Sequence, residues 1–292
     1  MNPRQAAEPE SDALALRRIC ICVDDFGLHT GVNKAALRLA TMERVHAIGC
    51  MVGGPAWAEW GDLLRHKSTE GVDVGLHLDL TEHPLGPDGG HPLRTLIAKA
   101  LLGALDRTAI RAEIRAQLDA FERMLRTGPA FVDGHQHVHQ LPVVREELVD
   151  ELQARYGGAL PWLRSTRRAW NPQTAALDGW RGFVKPWGIE TLGARALARL
   201  AARHGLLQNQ RLLGVYDFRG GAEGYRKRLA GWLAVARDGD LLMCHPSAGA
   251  SEEGAMSLAR QAEFAVLASP GFAEMLRDFG ISLRRMRKIL NA

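Results

Sequence analysis

The stretch Arg18–Val23, RICICV, runs straight into Asp24-Asp25-Phe26-Gly27 and then, from Gly31 to Glu43, into a segment whose apolar residues recur at helical spacing. A short apolar run of this kind reads as a buried strand, and the 3.6-residue period after it reads as a helix packed back against that strand. The segment is therefore one β-α unit with a pair of carboxylates at the strand's exit.

The same grammar recurs downstream. Further strands are expected at Ala47–Val52, Val72–Leu78, Ala130–Gln136, Trp162–Ser165, Leu212–Tyr216 and Leu241–Cys244. Helices are expected at Trp57–His66, Thr108–Thr127, from Pro142 to about Arg155, Leu192–His204 and Tyr225–Ala236; in the second of these Ile110, Ile114, Leu118, Phe121 and Leu125 share one face. About seven strands alternating with helices predict a parallel sheet closed, or nearly closed, into an α/β barrel. The Trp-, Pro- and Gly-rich stretch Arg167–Pro186 is expected to form an irregular insertion over its top. Residues 1–16 are polar and hold two prolines, so they read as a flexible arm, with 17–292 as one barrel domain. No internal repeat is visible.

Hydrophobic residues make up 46% of the 292 and charged residues 24%, which is enough apolar surface for one sizeable core and too much for a disordered chain. The formal charge of +4 and the pI near 9.0 trace largely to arginine-rich helices and to the tail Arg284, Arg285, Arg287, Lys288. A solvated basic face or an anionic small substrate accounts for them without nucleic acid. Cys20, Cys22, Cys50 and Cys244 form no CxxC pair and lie inside apolar runs, as core residues do. The N-terminus has no apolar stretch of signal-peptide length, and no run approaches the roughly 18 apolar residues that span a bilayer, so no membrane span and a cytoplasmic address are expected.

In a parallel α/β sheet, functional groups collect where strands run out into loops. Four strand ends carry them: Asp24-Asp25 in VDDFG, His77 in GLHLDLT, His135 in DGHQHVH and His245 in LMCHP. Adjacent carboxylates repel unless a cation or a shared proton intervenes, whereas one alone would be an ordinary turn or cap residue. In GLHLDLT the two-residue period sets His77 and Asp79 opposite Leu76, Leu78 and Leu80. The same period, applied to FVDGHQHVH as a continuing strand, places Asp133, His135, His137 and His139 on one side, with His135 nearest the exit and His139 drifting into the loop. Imidazole is the commonest nitrogen ligand of borderline metals, and a nearby carboxylate can orient a ligating ring. Asp25, His77 and His135 make a facial set that leaves positions open for water and substrate, which is a catalytic arrangement. Asp24 is then free to act as base and His245, fixed by Pro246, as acid.

Taken in order, VDDFGLHTGVN, VGLHLDLT, FVDGHQHVH, WLRS and LMCHP resemble the motifs of the YdjC-like carbohydrate deacetylases over roughly Ile19 to Leu283. The resemblance implies a distorted TIM-like (β/α) barrel, one divalent metal (magnesium or zinc), and hydrolytic removal of an N-acetyl group from an amino sugar or acetylated oligosaccharide. It also implies roles: Asp25, His77 and His135 as metal ligands, Asp24 as base, His245 as acid, and Arg164 as a basic residue lining the pocket. Asn33, Asp79 and His137 are expected to join Arg164 in binding substrate. Leu85–Arg107 and Arg167–Gly188 follow no family pattern and are where substrate choice is expected to be made. The expected partner is the acetylated sugar, with a homodimer as an allowed assembly.

The expected chemistry is attack on an acetamide by metal-activated water, with Asp24 taking a proton and His245 giving one to the departing amine. Two rivals share part of the pattern. A non-haem iron oxygenase uses the same ligands, though usually on an all-β framework. A protein that only holds a metal or a glycan needs His77 and His135 but neither Asp24 nor His245. Hydrolysis of a different amide is a third reading.

Overall fold

The computed structural model describes residues 16–66, 71–87, 90–169, 171–172, 180–249 and 255–292; apart from Leu16, the expected arm lies outside them. Eight strands run through these residues: β1 (Arg17–Phe26), β2 (Ala47–Cys50), β3 (Asp73–Leu78), β4 (Phe131–Gly134), β5 (Trp162–Leu163), β6 (Leu212–Leu213), β7 (Leu241–Cys244) and β8 (Ile281–Leu283). All pair in parallel, in the order β5-β4-β3-β2-β1-β7-β6. The long β1 also pairs its first residues, Arg17 to Ile19, with β8. The two ends of the sheet meet without a regular ladder, at a bridge between Arg168 and Leu212, a 2.9 Å bond from the Leu163 N–H to the Leu207 carbonyl, and the Asn209 side chain, whose Oδ1 accepts from the Ser165 N–H at 2.7 Å. The result is a seven-stranded, imperfectly closed barrel with an eighth short strand at its base, as the sequence predicts in outline.

Helices α1 (Thr30–Thr41), α2 (Trp57–His66), α3 (Leu93–Leu101), α4 (Arg107–Leu125) and α5 (Val144–Tyr156), with later ones at Trp180–Thr191, Ala194–Arg203, Gly221–Val235, Ala255–Leu267 and Pro270–Asp278, surround the sheet. The period-2 alternation of β1 divides the core in two. Ile19, Ile21 and Val23 face outward into the layer shared with Leu39, Leu118 and Phe121 of the helices. Cys20 and Cys22 face inward, among Ala47, Phe131, Trp162, Leu241 and Met243. Met286 and Ile289, from the last helix (Met286–Leu290), plug the base of that interior. Phe131 and Trp162 stack there with centroids 4.3 Å apart; truncating either to Ala would cost about 3–5 kcal/mol.

Several expected boundaries move. β4 ends at Gly134, and His135–Gln140 is a tight 3-10 turn with Gln136 and His137 at φ 52 and 63, so the histidines of DGHQHVH do not alternate along a strand. β5 and β6 last two residues each instead of four and five. After β6 the chain turns through Gly214 at φ +94, where a Cβ would lie 2.1 Å from the Met243 carbonyl oxygen, so only glycine fits. The unpatterned stretch 85–107 contains α3, and α4 begins at its end, capped by Asp106, whose Oδ1 accepts the N–H groups of Thr108 and Ala109. Of the expected insertion 167–186, residue 170 and residues 173–179 lie outside the described residues, and Trp180–Thr191 is helical despite Pro186. Among the described residues no helix is long and apolar enough to cross a membrane.

Candidate active site

The site begins with a defect in β1. Val23 pairs Ile48 and Phe26 pairs Cys50, so three steps along β1 match two along β2, and Asp25 adopts φ 67. The extra residue is a β-bulge, which re-aims side chains where a regular strand would send them to opposite faces. Consequently Asp24 and Asp25, though adjacent, are both buried and converge on the same end of the barrel. Gly27 completes the turn at φ +103, and its N–H donates to Asn33 Oδ1 at 2.7 Å, tying the turn to the first turn of α1.

Asp25 Oδ1 lies 3.4 Å from His77 Nε2 and 3.0 Å from His135 Nδ1, and the three residues are buried with their ligand atoms mutually within 4.8 Å. Two bonds of about 2.1 Å to one cation enclose ligand atoms about 3.0 Å apart at octahedral and 3.4 Å apart at tetrahedral angles, so the two spacings from Asp25 fit a divalent ion. His77 Nε2 has no hydrogen-bond partner, which is costly for a buried polar atom unless it has another acceptor for its lone pair. The far side of the His77 ring is held, Nδ1 meeting Asp133 Oδ1 at 2.7 Å, whereas His135 Nε2 stands 3.2 Å from Glu82 Oε1 in an ion-pair contact without hydrogen-bond geometry. The second oxygen of Asp25 accepts from Arg260 Nη2 at 2.6 Å. Burial works against charge on every group here. Even so, Arg260 and His135 hold the Asp25 carboxyl well below the usual range, and Asp25 with Glu82 lifts His135 to about 9.

Asp24 is gripped from behind. Arg164, fully buried, donates from Nη2 to Asp24 Oδ1 and from Nη1 to Oδ2, both at 2.6 Å, and pairs with Asp133 Oδ2 at 2.5 Å. Burial would push the Asp24 carboxyl up, but the Arg164 charge and its two hydrogen bonds overcome this and keep it well below the usual carboxylate range. Cys22, Asp24 and Asp133 also bring three ligand atoms together; there the cation is the guanidinium itself, with Nη2 3.1 Å from Cys22 Sγ.

His245, at the end of β7, places Nε2 4.0 Å from Asp24 Oδ2. Its backbone N–H donates to Glu263 Oε2 at 2.6 Å, Tyr216 donates its hydroxyl to Glu263 Oε1 at 2.7 Å, and the Phe218 ring stands edge-on to the imidazole at 5.3 Å. Burial lowers His245 to about 4 and raises Glu263 to about 7.

The five residues expected at the centre, Asp24, Asp25, His77, His135 and His245, are thus brought to one place. The four expected at the substrate are placed differently. Asn33 is fully buried in the Gly27 turn, and Arg164 is walled in by carboxylates, so its guanidinium reaches Asp24 rather than the solvent side of the pocket. Asp79 is 1% exposed, and its oxygens accept from the N–H groups of Thr81, Glu82 and His83, organising the loop after β3. His137 is half-buried, and burial followed by the Arg164 charge pushes its imidazole well below its ordinary range. His139 is buried with Nε2 3.1 Å from the Arg164 carbonyl oxygen. Sequence reasoning missed Glu82, Arg260 and Glu263. Only the last two carried a signal, as charged residues three apart on the face of Ala255–Leu267 that also buries Val266 and Leu267.

Fold and site together define the class: an α/β barrel whose strand ends present a candidate site for one divalent cation, beside an ionised carboxylate and a histidine. The chain belongs to the YdjC-like protein family, whose profile matches residues 18–278. It is 27% identical to a human carbohydrate deacetylase, over 91% of this chain and 89% of that one. It is 30% identical to a chitooligosaccharide deacetylase of Enterobacter over 49% of this chain and 58% of the relative. A crystal structure from Enterococcus faecalis, provisionally named a cellobiose-phosphate cleavage protein, shares the fold with a TM-score of 0.67 at 17% identity, covering 94% of this chain and 99% of its own.

Proposed function

We propose that the protein is a metal-dependent carbohydrate deacetylase that hydrolyses the N-acetyl group of an amino sugar or acetylated oligosaccharide. The observation that carries this reading is the convergence of Asp25, His77 and His135 on one point, with Asp24 and His245 4.0 Å apart beside it. The family and the names of the relatives supply the substrate class.

Asp25, His77 and His135 would hold the cation, and two imidazoles with one carboxylate suit zinc better than magnesium, which prefers oxygen ligands. Such an ion would supply a Lewis acid for the amide carbonyl and acidify an attacking water. Asp24, kept ionised by Arg164, takes the proton of that water. Burial leaves His245 uncharged at neutral pH, so the proton that it delivers must arrive within the turnover. Asp24 Oδ2, 4.0 Å from Nε2, passes it on across one water or after the two side chains close to hydrogen-bond distance. Nε2 then gives it to the departing amine nitrogen, without which an amide is a poor substrate for cleavage. The buried free thiols Cys20, Cys22, Cys50 and Cys244 agree with a reducing, cytoplasmic address.

The test is acetate release from N-acetylated amino sugars and chito-oligosaccharides by protein loaded with zinc or magnesium. Release that depends on added metal supports the reading. Its absence across the whole series, with metal bound, removes the assigned reaction.

A further inference from the structure

We propose that Glu82 is a positioning residue that fixes the ring orientation of His135, as Asp133 does for His77. The inference rests on the metal-site reading above. Each imidazole turns one nitrogen toward Asp25 Oδ1 (His77 Nε2 at 3.4 Å, His135 Nδ1 at 3.0 Å) and the other toward an outer carboxylate, hydrogen-bonded at 2.7 Å in the Asp133 pair and in ion-pair contact at 3.2 Å in the Glu82 pair. A ligating histidine whose second nitrogen meets a carboxylate is held in one tautomer and one rotation, and loss of that partner lowers metal affinity about 10–100-fold.

The loop that delivers Glu82 is built for the purpose. Asp79 accepts from the Thr81 and His83 N–H groups at 2.7 and 2.6 Å. On α4, Glu113 accepts from the Leu85 and Gly86 N–H groups at 2.7 and 2.6 Å, and Gln117 Oε1 accepts from the Asp79 N–H at 3.0 Å. Three buried polar side chains therefore hold the turn on both sides of Glu82. Its Oε1 also accepts from Gln136 Nε2 at 3.0 Å, so the carboxylate spans the left-handed kink that follows His135. Unlike the fully buried Asp133, the Glu82 side chain is 43% exposed, so water replaces part of what its removal takes away, and the effect belongs at the lower end of that range.

The experiment titrates Co²⁺ into metal-free full-length protein, following the visible d–d bands and the affinity by chelator competition. Wild type should bind one equivalent, lost in His77→Ala. Glu82→Ala should bind about 10-fold more weakly with an unchanged band pattern, and Glu82→Gln, whose amide oxygen still accepts from the ring N–H, should recover most of the affinity. Glu82→Ser serves in place of the alanine variant should that one not fold. Equal affinity in wild type and Glu82→Ala overturns the inference while leaving the metal site intact. Altered bands with no rescue by Gln also overturn it, because Glu82 would then be a ligand. Failure of wild type to bind Co²⁺ overturns the metal-site reading along with it.

Discussion

Arg164 and Asp24 form a two-pronged pair in the barrel interior, Nη1 to Oδ2 and Nη2 to Oδ1 at 2.6 Å each, and the same guanidinium closes on Asp133 at 2.5 Å. One cation buried at 0% exposure thus holds both the proposed base and the carboxylate behind His77. Removing it would leave two buried carboxylates short of a partner, a change that typically costs about 3–5 kcal/mol. Arg164→Met should lower the melting temperature accordingly and abolish activity. Arg164→Lys keeps the charge but not the planar fork, so it should recover part of the stability and little of the activity. Wild-type turnover in Arg164→Lys would show that the fork is not needed to aim Asp24.

Adjacent residues should fail in different ways. Asp25→Asn removes the charge of the shared ligand oxygen and weakens the 2.6 Å pair that its neighbour makes with Arg260 Nη2. Metal binding should fall steeply. Asp24→Asn leaves Asp25, His77 and His135 untouched, so the metal should stay bound while kcat falls by about 10²–10⁴-fold. Metal analysis beside acetate-release kinetics separates the two, and equal metal loss in both variants would contradict the division of labour.

The centre of the site was legible because polar residues at strand exits stand out against apolar strands, and a parallel barrel gathers those exits. Asp24-Asp25, His77, His135 and His245 were found on that ground alone. What the alternation rule got wrong was DGHQHVH: with Gln136 and His137 at positive φ, the strand ends one residue before His135, and Gln136, where the left-handed turn begins, is not a residue that advertises one. The bulge at Asp25 was equally silent, since two adjacent aspartates on a regular strand would point apart. β8, three residues long and dependent on the start of β1 for pairing, has no periodicity of its own to read. Glu82 and Arg260 reach the site from a loop and from a helix far along the chain, by contacts that only the folded barrel creates.

Metal should stabilise the fold itself. A ligand bound only by the native state adds about 2.7 kcal/mol at a free concentration 100-fold above its Kd, which for a chain of this size corresponds to roughly 4–5 °C in melting temperature. Zinc added to chelator-treated protein should produce such a shift, chelator should reverse it, and His77→Ala should show none. A zinc-induced shift that persists in His77→Ala would place the stabilising ion elsewhere.

Glu263 makes a prediction about pH. It is fully buried, and burial raises its carboxyl from 4.5 to about 7 despite the Tyr216 hydroxyl and the His245 N–H that it accepts. The folded state therefore keeps this proton after the unfolded chain has released it. The group's contribution is fully present below pH 4.5 and is lost as pH rises toward 7, by on the order of 3 kcal/mol. Glu263→Gln cannot ionise; its amide oxygen can still accept from the His245 N–H, while its NH₂ donates to a reoriented Tyr216 hydroxyl. Its stability relative to wild type should therefore climb between pH 4.5 and 7 and level off above. Urea unfolding of both proteins across that window measures the difference directly, with acid effects common to both cancelling. Parallel profiles would mean that Glu263 ionises in the fold as readily as it does in the open chain, and the buried-carboxyl account of the His245 support would fail with them.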